Sequence, residues 1–140
     1  MKTGARSVLS LGLLFGFALS AAAAPAKDLE STPQAKVYRQ SLKAIADGNY
    51  EAYTKCMTKE AVAEIEKQTK EMGKTTKEGM EMMKALAPSD VKFSDLKVDG
   101  KNAVLAATGK MDNDVMKGSI ELAEEDGQWK IGKQSWSNAK

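Results

Sequence analysis

The 140-residue chain contains no histidine. Without imidazole, Ser-His-Asp and Cys-His nucleophilic schemes are unavailable, as are the usual histidine-bearing zinc sites. What remains for acid–base work is a phenol or a carboxylate inside an apolar pocket. Tyr38, Tyr50, Tyr53 and Asp95 are the candidates for such proton handling, in a lyase or isomerase. Asp112-Asn113-Asp114 offers too few oxygen ligands for calcium, and no glutamate completes a loop downstream, so these are read as turn residues. Met72, Met80, Met82 and Met83 supply soft thioethers, with no His or Cys nearby. Met80 and Met83 share a helical face while Met82 points elsewhere. The set reads as adaptable core filler, with a Cu(I) site as the alternative. Cys56 is the only cysteine, which excludes an internal disulfide. It reads as a small buried hydrophobe, with an intermolecular disulfide or a reactive thiol as the alternative. No catalytic residue, metal ligand or cofactor is assigned.

The elements that position these groups are organised around Val115 to Trp136. Alternation puts Met116, Gly118, Ile120 and Leu122 on one face of a strand, and Lys117, Ser119 and Glu121 on the other. Asp126-Gly127 then predicts a tight hairpin turn. On the return strand Trp129 and Ile131 share a face beside Ile120 and Leu122, which predicts that both are buried. Trp136 falls on the opposite parity unless a bulge at Gly132 realigns it. Upstream, Val91 and Phe93 differ in parity from Leu96 and Val98, which predicts a bulge near Ser94-Asp95. Asp99 to Asn102 turns the chain into a strand over residues 103–111, with Leu105, Ala107 and Met111 on one face.

Four helices precede the strands. Thr32-Pro33 opens the first, carrying Tyr38, Leu42 and Ile45 inward, with Lys36, Arg39 and Lys43 falling away, and Gly48 stops it. Asn49 caps a short second helix with Tyr50, Tyr53, Cys56 and Met57. Thr58 starts a third, whose inner face is Ala61, Val62, Ile65, Thr69 and Met72. Thr75 and Glu78 form a capping box for a fourth, with Met80, Met83 and Leu86 inward, ended by Ala87-Pro88.

Residues 1–26 have the layout of a signal peptide: Lys2 and Arg6, an apolar core over 8–19, then Ala21 to Ala24 with A-x-A cuts after Ala23 or Ala26. The apolar core is short for a membrane span, so no stable anchor is expected and the address is periplasmic or secreted. Residues 27–32 read as a flexible, solvated lead-in, and 33–137 as one domain. From residue 27 onward the chain carries 19 basic and 19 acidic residues. No basic face stands out, which argues against nucleic acid.

Ala44 to Tyr53 (A-I-A-D-G-N-Y-E-A-Y) and Asp126 to Ile131 (D-G-Q-W-K-I) resemble the nuclear transport factor 2-like, cystatin-like α+β superfamily, in particular its small exported bacterial members of unassigned function. The resemblance implies an α+β fold in which three to four N-terminal helices pack on a curved four-stranded antiparallel meander and leave a cone-shaped pocket. Enzymatic members of that superfamily use a placed Asp/Tyr or Asp/His set, and no motif transfers such a residue to a position here. The chain also lacks the strand hairpin expected between the second and third helices.

The expected lining of such a pocket is Tyr38, Leu42, Tyr53 and Met83 from the helices, with Leu105, Ile120, Trp129 and Trp136 from the sheet. The function expected from this set is non-catalytic binding of a small apolar ligand, a peptide or a partner protein in the concave face. The alternatives are an inhibitor or accessory subunit acting through an exposed hairpin edge, and the lyase or isomerase above. A homodimer stays open.

Overall fold

The computed structural model describes residues 26–139. The expected signal peptide and its cleavage sites lie almost wholly outside the described residues. A 3-10 helix, Ala26–Ser31, leads into four α-helices: α1 (Pro33–Asp47), α2 (Tyr50–Lys55), α3 (Lys59–Glu71) and α4 (Thr76–Leu86). Four strands follow, β1 (Ser89–Asp99), β2 (Asn102–Met111), β3 (Asp114–Glu125) and β4 (Gln128–Asn138), paired in that order as an open antiparallel meander. The fold is thus α+β, with the helices preceding the strands. None of the described helices is long and apolar enough to cross a membrane.

The helix boundaries follow local chemistry. The hydroxyls of Thr32, Thr58 and Thr75, and the Asn49 amide oxygen, each accept a backbone N–H from the first turn of the helix they cap. Gly48 ends α1 at φ 67°, a left-handed position that glycine adopts without a Cβ clash. Thr75 and Glu78 form the reciprocal capping box.

The sheet curls because extra residues are fed into its edge strands. Phe93 faces Ala107 and Asp95 faces Ala106, so Ser94 is the surplus residue; Glu121 faces Lys133 while Leu122 faces Ile131, so Gly132 is another. Both bulges stand where the parity breaks put them. A third, between Ser89 and Lys92, includes Asp90 at φ 49° and has no parity signature. The concave face then reads in rows: Val98, Ala103, Leu122 and Ile131; Leu96, Leu105, Ile120 and Gln134; Phe93, Ala107, Gly118 and Trp136. Leu105, Ile120 and Ile131 are fully buried there, beneath Ala35, Tyr38 and Ile45 of α1 and Met80 of α4.

Several expectations need correction. The lead-in is not solvated throughout: Leu29 is buried, and Glu30 forms a two-pronged ion pair with Arg39, Nη2 to Oε2 2.8 Å. Arg39 does not fall away either; it donates to Val91 O at 2.6 Å and lies 4.8 Å from the centre of the Phe93 ring. Met72 and Leu86 are 53% and 67% exposed rather than inward. Met72 is the residue just beyond the last turn of α3, and Leu86 is the last residue of α4. Ile131 is buried as expected, but Trp129 is only half-buried, because it faces Glu124 near the hairpin tip.

Candidate functional site

The eight expected pocket residues divide into two groups. Tyr38, Tyr53, Leu105 and Ile120 are buried core side chains, whereas Leu42, Met83, Trp129 and Trp136 are half-buried around that core. Tyr38 reaches down from α1 and meets Phe93 edge-on, centroids 6.0 Å apart. Its hydroxyl donates to Gln134 Oε1 at 3.1 Å, and Trp136 Nε1 donates to the same oxygen at 3.1 Å. The centre of the concave face is therefore occupied by the protein's own side chains. Gln134 was not singled out from the sequence. The signal was available, since the Gly132 bulge that brings Trp136 inward also brings residue 134 inward.

Burial pushes the Tyr38 phenol far above its ordinary range, against the nearby Trp136 N–H, which favours the phenolate. Tyr53 is raised chiefly by burial as well, and Tyr50 by burial and then by the Glu66 carboxylate beside it. Asp95 does not join them. The Ser94 bulge places it opposite Ala106 on the convex side, exposed, while Phe93 and Leu96 face the core. Asp95 is thus kept from the Tyr38 and Tyr53 phenols by the sheet, and the carboxylate beside a phenol is Glu66 at Tyr50. The methionines do not converge: Met80 is buried, while Met72 and Met82 face solvent. Among the described residues no group of three or more Cys, Asp or Glu side chains could hold a metal ion. The buried Cys56 thiol is pushed up by desolvation, offset in part by Lys130, and contacts Ala52 O at 3.5 Å.

Among the clefts formed by the described residues, three adjoin the helices. One of about 520 Å³ lies over Cys56 and is lined by Lys43, Lys55 and Lys130. Its cations are already engaged: Lys43 with Asp47 at 2.7 Å, Lys55 with Glu51 at 3.3 Å, and Lys130 with the Lys55 carbonyl. A crevice of about 250 Å³ between α3 and α4 is lined by Tyr50, Glu66 and Gly79. Thr69 fills the space over Gly79, 3.5 Å from where a Cβ would stand.

The third is a groove of about 640 Å³ between α3 and the β3–β4 hairpin. It begins where Met57 pairs in parallel with Ile131. There Ile131 N–H donates to Cys56 O at 2.8 Å, and Thr58 N–H donates to Ile131 O at 2.9 Å. The chain makes one rung of a fifth strand, and Thr58 then caps α3 and leads it away. Beyond Gly132, the outer edge of β4 has no backbone hydrogen-bond partner among the described residues.

Compared with known proteins, the chain matches no family model and no curated protein.

Proposed function

We propose that the protein is a non-catalytic binding module that engages an extended segment of a partner protein along the outer edge of β4. The observation that carries this reading is the interrupted fifth strand. Cys56 to Thr58 pairs with Ile131, the groove opens beside Gly132 and Lys133, and the edge beyond has no backbone partner among the described residues. Strand addition supplies affinity through main-chain hydrogen bonds, and the groove walls select side chains. The concave face supports ligand binding less well. A ligand there would have to displace Tyr38 and break its bond to Gln134, leaving buried polar groups unpaired. The opposite edge, β1, is less accessible: the Arg39 guanidinium holds Val91 O, and Asp95, Lys97 and Asp99 charge the rest.

Membership of the nuclear transport factor 2-like superfamily belongs to the same proposal, supported by the order of helices before a bulged meander. So does export to the periplasm or medium, supported by the composition of residues 1–26. N-terminal sequencing of the natural protein should find a chain that begins at Ala24 or Lys27.

The binding reading is tested by selecting peptides from an unbiased library against the folded protein and mapping them by amide chemical shifts. Selected peptides should shift residues 131–138 together with α3. Peptides that map to Leu42, Met83 and Trp136 instead would return the concave face to first place.

A further inference from the structure

We infer that the segment accepted by the α3/β4 groove is a basic one, an extended stretch with lysine or arginine at alternate positions. This rests on the edge-binding reading and names the chemistry of the partner. The groove is walled by Glu60 and Glu64 of α3 and by Glu121 and Glu125 of β3, with Lys133 the one cation among its lining residues. None of these four carboxylates forms an ion pair among the described residues, although basic and acidic residues are equally numerous from residue 27 onward. Glu64 accepts only from Gln68 at 3.0 Å, and Glu125 from the Lys59 backbone N–H at 3.2 Å.

Charge alone would describe a solvated acidic patch. The second feature is the strand lane that opens into it. The rung at Ile131 shows that a chain beside β4 finds both a donor and an acceptor, and past Gly132 no described residue pairs with that edge. Ala61, Ala123 and Gly132 are small lining residues of the groove, which lets a guest backbone approach closely. Side chains of an extended guest alternate between two sides. The set on the side of Glu121, Ala123 and Glu125 then passes over the small Ala123 and meets the carboxylates that flank it. Complementary charge of this kind sets partner choice and association rate more than raw affinity.

The test titrates three synthetic peptides into isotope-labelled protein: alternating Lys-Val, Ser-Val and Glu-Val. The Lys-Val peptide should shift the amides of residues 131–138 and 60–68, weaken as salt rises, and bind at least about tenfold more tightly than Ser-Val. Glu-Val should not bind. Glu64→Gln combined with Glu121→Gln changes two exposed side chains; it should leave the fold intact by circular dichroism and reduce Lys-Val affinity by about tenfold. Equal binding of Ser-Val and Lys-Val at the groove would overturn the basic preference and leave the edge reading standing. If no peptide shifts the groove, both fall. A dimer in sedimentation that the double variant dissociates would make a second copy of this chain the occupant and overturn the proposal.

Discussion

Gln134 stands in a row otherwise made of Leu96, Leu105 and Ile120, and it accepts from both Tyr38 and Trp136. Leaving a buried donor unpaired costs more than a hydrogen bond contributes when made. Gln134→Leu strands two donors and should lower stability by about 2–3 kcal/mol. Tyr38→Phe removes one donor and should cost about 1 kcal/mol, and the double variant should cost less than the sum, as denaturant titration will show. The buried phenols also set an alkaline limit. In the folded protein Tyr38 and Tyr53 keep their protons above the ordinary phenol value of about 10, whereas the unfolded chain releases them there. The unfolded state then binds fewer protons than the folded one, so stability falls as pH rises past about 10. Tyr38→Phe should make that fall shallower, measured by unfolding at neutral and alkaline pH.

At the scale of elements, Trp136 lies flat on a glycine window in the sheet. A Cβ added at Gly118 would come within 2.7 Å of its ring, and one at Gly109 within 3.3 Å. Gly118→Ala should therefore destabilise by about 1–3 kcal/mol through overpacking, seen as a lower melting temperature. The α4 cap gives a second test. The Thr75 backbone N–H, then its hydroxyl, hold the Glu78 carboxyl below its usual range. That contribution is present above the ordinary carboxylate value of about 4.3 and is lost as pH falls through the lowered folded value. Thr75→Ala should cost about 1 kcal/mol and speed amide exchange in α4. Caps, turns and strand parity are properties of a few neighbouring residues, so the helix starts, the Asp126-Gly127 turn and the bulges at Ser94 and Gly132 were legible in the sequence. Whether a helix end meets a neighbour depends on distant packing, so the exposure of Met72 and Leu86 was not. Leu29 escaped notice for a related reason. One apolar residue in a charged lead-in makes no periodic pattern, and only its contact with the sheet gives it a place.

For the molecule as a whole, Tyr38 and its buried neighbours occupy the centre of the concave face, and a groove of about 640 Å³ lies beside α3. Individual pocket residues were legible as inward-facing. Whether a gap remained among them was not, because that depends on how far Tyr38 reaches and on its bond to residue 134. The groove was invisible for the same reason, since its walls come from α3 and from a hairpin about 60 residues away. The most direct test is residue-resolved amide exchange of β4, free and with a library-selected peptide bound. In the free protein Ile131 should exchange slowly, held by Cys56 O, while the outward-facing amides among residues 133–138 exchange fast. A bound peptide should slow those same amides. Amides already protected throughout in the free protein, or unchanged when peptide is bound, would contradict β4 as the binding edge.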